Sequence, residues 1–126
     1  MPHPDPVKVV GAINCAAFFP ACRAVVHHGG SRITAASLRA GVPTLILSMD
    51  ANQALWGGQV KGLKVGTTRR FSTTTRETLV ADLCRILAPD YLTRARELAR
   101  GMTKPIESGA SAADVVEKFA RSRCSA

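Results

Sequence analysis

Acidic residues are scarce in this sequence: nine aspartates and glutamates stand against 17 lysines and arginines in 126 residues, a formal net charge of +8. Aromatic side chains are few, with one Trp, one Tyr and four Phe. Without an aromatic ladder, a single-strand binder has nothing on which to stack bases. The basic residues are also spread out. Arg76, Arg85, Arg94, Arg96, Arg100, Lys118, Arg121 and Arg123 share helical segments with Glu77, Asp82, Glu97 and Glu117, the pattern of a solvated face. No nucleic acid partner is expected; the charge suits a phosphate-bearing ligand or an anionic membrane face instead.

Long apolar runs are missing too, and none approaches the roughly 18 residues of a membrane span. Residues Met1 to Pro6 carry three prolines but not the charged-then-apolar order of a secretory signal. The expectation is a cytoplasmic chain, with at most peripheral contact at the inner membrane face. Cys15, Cys22, Cys84 and Cys124 have no CxxC spacing, so they read as buried or incidental thiols. No Gly-x-Ser-x-Gly elbow surrounds Ser31, which argues against a hydrolase. His27 and His28 are neighbours on a strand and so point to opposite faces, unable to chelate one ion. No metal and no cofactor are expected.

What the chain does have is an alternation of short strands and helices. Asn14 to Cys22 reads as a helical turn or two stopped by Pro20. Ala24-Val25-Val26 is a β-branched strand ended by Gly29-Gly30. Ser31 to Ala40 is a helix with Ser31 as N-cap and Gly41 at its left-handed exit, and Pro43 blocks continuation. Thr44-Leu45-Ile46-Leu47 is apolar throughout, as a parallel strand covered on both faces must be. A helix over Gln53 to Leu63 follows, with Gly57 and Gly58 each weakening it by about 1 kcal/mol, then a short strand at Val65-Gly66-Thr67. Thr74 and Glu77 form a capping box for a helix carrying Leu79, Val80, Leu83, Ile86 and Leu87. Pro89 opens another with the stripe Tyr91, Leu92, Ala95, Leu98, Ala99 and Met102. Ser111 caps a last helix, with Ala112, Val116, Phe119 and Ala120 inward. The fold class is α/β, a partial Rossmann-like parallel sheet with flanking helices, ending in two or three C-terminal helices. One domain covers 1–126: a disordered tail over 1–8, an α/β core over 9–74 and a helical part over 75–121.

Ala24-Val25-Val26-His27-His28-Gly29-Gly30-Ser31, then Leu38-Arg39-Ala40-Gly41-Val42-Pro43, then Gln53, resembles the C-terminal signature of family 1 UDP-glycosyltransferases, the GT-B superfamily. The branch it resembles most glycosylates macrolides, glycopeptides, sterols and glycolipids. The resemblance runs from about Val9 to Phe119. It implies the donor-binding half of a two-lobed enzyme that transfers a sugar, with inversion, from a UDP- or dTDP-sugar to a lipid, sterol or polyketide hydroxyl. By that resemblance His28, Gly29, Gly30, Ser31, Arg32 and Ile33 form the diphosphate segment, and Asn52 and Gln53 the donor-sugar pair. Glycines at a strand-to-helix turn accept positive φ and leave N–H groups open to an anion at the helix start.

The sequence departs from the signature in three places. Arg32-Ile33-Thr34 replaces the usual Gly-Thr-Thr, and a guanidinium there either obstructs the diphosphate or grips it with its planar fork. Asn52 replaces an aspartate and so brings an amide where a charge would hold a sugar hydroxyl more strongly. The acceptor lobe, with the family's usual catalytic base, has no counterpart in these residues, and His3 lies in a proline-rich stretch without a carboxylate partner. No catalytic residue is assigned, and an N-terminal lobe is expected from elsewhere. The alternative is a truncated, non-catalytic remnant that binds nucleotide weakly or not at all, and docks on another protein.

Overall fold

The computed structural model describes residues 7–102 and 105–124; His3 and most of the tail expected over 1–8 fall outside them. Three parallel strands, β1 (Val25–His27), β2 (Thr44–Ser48) and β3 (Gly66–Arg70), form a sheet in the order β1-β2-β3. Val25 pairs with Thr44, and Thr44 with Gly66. A short helix, α1 (Cys15–Phe18), precedes the sheet, and α2 (Ser31–Arg39) and α3 (Ala51–Gly62) connect its strands. The helices α4 (Arg76–Ile86), α5 (Pro89–Arg100) and α6 (Pro105–Cys124) follow.

The apolar run of β2 is buried, as the sequence implies: Thr44, Leu45, Ile46 and Ser48 are inaccessible or nearly so. Ile46 gathers Val60 of α3, Val65 and Ala95 of α5 into one core, with Leu38 and Leu98 packed against it. Phe19, Val25 and Val42 form a second core beside α1 and α2, onto which Cys15, Cys22 and Ile33 pack. Alternation along β3 sends Thr68 toward α3, where it abuts Gly57, and Arg69 to the opposite face. There Arg69 makes a bidentate pair with Asp82 of α4, at 2.7 and 3.0 Å, and that hydrogen bond raises the Arg69 pKa further. The α4 face is covered less completely, and Val26 on β1 is 45% exposed.

Three expected caps move. Gly30, not Ser31, is the N-cap of α2, because the turn before it already places the Gly30 carbonyl to accept from Thr34 N–H at 2.9 Å. Thr75, not Thr74, caps α4. The Thr74 hydroxyl donates to the Arg70 carbonyl at 2.9 Å, which leaves Thr75 and Thr78 to exchange the reciprocal bonds of the capping box. Ser111 lies inside α6, which begins at Pro105. The expected inward face of α6 is also overturned: Ala112, Val116, Phe119 and Ala120 are exposed, Val116 at 67% and Phe119 at 62%. Periodicity names the apolar face of a helix but not what covers it, and among the described residues α6 has no extensive packing against another element. Pro20 does not end the first helix but sits inside a 3-10 turn over Phe19–Ala21 that continues it. Gly41, at φ +71°, ends the hydrogen bonding of α2 as expected.

The two adjacent glycines of α3 have opposite roles. A Cβ on Gly57 would fall on the Thr68 hydroxyl, whereas one on Gly58 would meet nothing within 4 Å. We expect Gly58→Ala to stabilise the fold by about 1 kcal/mol and Gly57→Ala to destabilise it by about 1–3 kcal/mol. Urea denaturation of both variants checks this, and effects of equal sign would contradict the packing of α3 on β3.

Candidate functional site

The carboxyl ends of the three strands open on one side of the sheet, where open α/β sheets take ligands. At the end of β1, His27 turns inward and His28 outward. The Gly29 N–H donates to His27 Nδ1 at 3.1 Å, curling the chain back as it leaves the strand. Gly29 then takes φ +96°, and a Cβ there would lie 2.8 Å from Ile46 Cγ2 and 3.1 Å from the Gln53 carbonyl oxygen. Only glycine fits both the conformation and the gap.

Gly30 begins α2 in an extended conformation with no side-chain cap. The first-turn N–H groups of an α-helix have no intrahelical carbonyl to meet, so those of Ser31, Arg32 and Ile33 are left as donors beside the positive end of the helix dipole. The exposed His28 ring lies over this opening, with Nε2 3.0 Å from where a Gly30 Cβ would be. The Ser31 side chain is exposed, and the Ile33 side chain packs on the core beside Phe19. Arg32 shares a shallow recess with Ser31, Ala35, Ala36 and Arg39, along the outer face of α2. Thr34 is buried and its hydroxyl donates to the Gly30 carbonyl at 2.7 Å.

The structure separates Asn52 and Gln53. Asp50 is the N-cap of α3, accepting from Gln53 N–H at 2.8 Å. The Gln53 Oε1 in turn accepts from Met49 N–H at 2.7 Å. Through the Gly29 contact, Gln53 joins the β1–α2 turn to the start of α3. Asn52 points to a different cavity, of about 510 Å³ and largely apolar, which it shares with Leu38, Leu55, Trp56, Gln59 and Leu63. Sequence reasoning missed a third opening, of about 430 Å³, between the ends of β2 and β3, lined by Ser48, Met49, Asp50, Arg70, Phe71 and Ser72 among others. Its signal was positional, since these residues directly follow two parallel strands.

His27 is neutral in this arrangement. Burial, with a smaller contribution from the charge of His28, pushes its pKa down to about 4. With Nδ1 accepting, the ring proton resides on Nε2, which is buried without a partner among the described residues.

Residues 2–120 match the family model described as erythromycin biosynthesis protein CIII-like, C-terminal domain. An uncharacterized glycosyltransferase of Mycobacterium tuberculosis is 59% identical over 121 residues, which cover 96% of this chain and 29% of that protein. Glycosyltransferase GtfE of Amycolatopsis orientalis is 35% identical over 112 residues, 89% of this chain and 27% of that protein. The crystal structure of glycosyltransferase VinC in complex with dTDP superposes with a TM-score of 0.77 at 24% identity, covering 91% of this chain and 30% of that one. The chain thus spans less than a third of the length of the curated relatives it matches. Its fold is that of GT-B glycosyltransferase C-terminal domains.

The neutral, buried His27 sets a pH dependence. Unfolded, the imidazole titrates near 6.5, and folded near 4. Between those values the unfolded chain binds the extra proton, so stability falls as pH drops through this window, by on the order of 3 kcal/mol. Urea denaturation between pH 7.5 and 4 should show this slope. His27→Asn, whose Oδ1 can take the Gly29 amide, should flatten it. Equal slopes in both chains would refute a buried neutral imidazole.

Proposed function

The chain belongs to the erythromycin biosynthesis protein CIII-like C-terminal domain family, and from that membership we propose that it is the nucleotide-sugar donor-binding part of a glycosyltransferase. The intact enzyme transfers a hexose from a UDP- or dTDP-sugar to a lipid, sterol or polyketide hydroxyl. The observation that carries this reading is the turn His28-Gly29-Gly30, which brings an exposed imidazole to the uncapped start of α2. Backbone N–H groups and a helix dipole stabilise the charge that builds on a diphosphate as it leaves. The acceptor site and the base that takes the hydroxyl proton lie, in this reading, outside the span described. A lobe of that kind is the partner we propose, with no nucleic acid. Among the described residues no helix is long and apolar enough to cross a membrane; we place the protein in the cytoplasm, its positive charge suiting the inner membrane face when the acceptor is a lipid.

A second reading, a domain that has kept the turn but lost the affinity, is favoured by one observation. The Thr34 hydroxyl is committed to the Gly30 carbonyl, and Ile33 before it offers no hydroxyl, so the only hydroxyl the first turn of α2 adds to its amides is that of Ser31, beside the Arg32 guanidinium. In that reading the chain serves as a docking module for another protein.

Calorimetric titration with UDP and dTDP separates the two. We expect a dissociation constant in the micromolar range, weakened about tenfold or more in His28→Ala, as loss of one charge-assisted hydrogen bond requires. Binding that emerges only in Arg32→Gly would favour the second reading. No binding by either chain would overturn the first.

A further inference from the structure

We propose that the cavity at the amino ends of β1 and β2, lined by Arg23 and Arg96, is a second ligand site, for a phosphate monoester carried on an apolar chain. Arg23 precedes β1, and Gly41, Val42 and Pro43 precede β2, so the cavity lies at the other end of the strands from the turn of His28, Gly29 and Gly30. This site stands apart from the nucleotide-sugar reading, and neither depends on the other.

Three observations carry it. First, two arginines from segments far apart in sequence line one opening, and neither forms an ion pair or a side-chain hydrogen bond among the described residues. Among those residues no aspartate or glutamate lines the cavity with them. Second, both arginines are held in place before any ligand arrives. The chain is pinned on either side of Arg23, where the Cys22 amide donates to the Phe19 carbonyl at 2.9 Å and the Val25 amide to the Pro43 carbonyl at 3.0 Å. On α5, the Arg96 stem lies against the Gly41 turn: a Cβ on Gly41 would come 3.5 Å from Arg96 Cα and 3.6 Å from its Cγ. Third, a backbone donor is left over. Val42 lines the cavity and is only 3% exposed, yet its N–H meets no acceptor among the described residues, whereas nearly all buried backbone N–H groups are paired.

The chemistry fits a phosphate monoester. At neutral pH it carries about 1.5 to 2 negative charges, enough to answer two guanidiniums, whereas a carboxylate answers one. The planar fork of arginine also matches phosphate oxygens in pairs. The rest of the wall calls for an apolar chain, since Pro20, Pro43, Leu87, Pro89 and Leu92 line it. A volume of about 440 Å³ lies within the range of small-molecule sites. The same charged group occurs on soluble alkyl phosphates and on phosphatidic acid in a membrane.

Titration of the whole chain with hexyl phosphate, followed by amide NMR, tests the site. Shift changes should gather at residues 20–24, 41–43 and 87–96. Arg23→Gln and Arg96→Gln should each weaken binding about tenfold, the order of one lost charge-assisted hydrogen bond. Arg85→Gln, exposed and outside the cavity, removes the same charge and should leave the affinity unchanged. Inorganic phosphate should bind about tenfold more weakly than hexyl phosphate, for want of the apolar part. UDP titrations of all three variants should match that of the unaltered chain, whether or not UDP binds. Sedimentation with vesicles of phosphatidic acid, against phosphatidylcholine, then separates the sources: co-sedimentation that both cavity variants weaken assigns a lipid headgroup, and hexyl phosphate binding without it assigns a soluble ester. No binding of hexyl phosphate, shift changes centred on residues 28–33, equal affinity for inorganic phosphate, or an equal loss in Arg85→Gln would each overturn the proposal.

Discussion

The amide of Gly29 donates to an imidazole two residues back, and most of the candidate site depends on that bond. It bends the chain off β1 tightly enough for Gly29 to settle between Ile46 and Gln53, which aims α2 with its first-turn amides uncovered. The geometry requires a neutral acceptor nitrogen inside the protein, and burial supplies it by disfavouring the protonated ring. The cost is a donor at Nε2 with no partner among the described residues, on the order of 1–3 kcal/mol. A strand end that spends stability to hold a turn is the kind of local conflict that marks function in an otherwise consistent fold.

Around that turn the sheet is unequally dressed. One face carries α2, α3 and α5 around Ile46 and is closed. The other has α4, fixed by the Arg69–Asp82 pair, and leaves Val26 open. The apolar residues Val115, Val116 and Phe119 on α6 are open too. The closed face is the one that sets the positions of Gly29, Gln53 and Asp50, so the ligand-facing loops rest on the better-packed side of the molecule.

The strands and the order of elements were legible in the sequence, because burial on two faces leaves few options: Thr44-Leu45-Ile46-Leu47 admits little but a central parallel strand, and Gly41 with Pro43 admits little but a helix exit before it. The caps were less legible. Ser31, Thr74 and Ser111 each have the right chemistry, but whether a hydroxyl caps a helix depends on the preceding backbone, and Thr74 had a competing carbonyl at Arg70. The site was read in part. His28, Gly29 and Gly30 come together at the start of α2, as the turn chemistry implies. Asn52 and Gln53 lie in different surroundings, since neighbours on a helix point about 100° apart: Gln53 ties to the Met49 amide while Asn52 lines the cavity along α3. The opening by Arg70 and Phe71 left no motif, because it arises from two strand ends that are distant in sequence.

The contact between Gly29 and Gln53 bears on how this signature is to be understood wherever it occurs. A glutamine whose backbone buttresses the glycine turn and whose side chain ties down the following loop answers to folding before it answers to any substrate. Replacing that side chain would unfasten the loop whether or not a ligand is bound. Its presence thus has an architectural reason that is independent of any ligand.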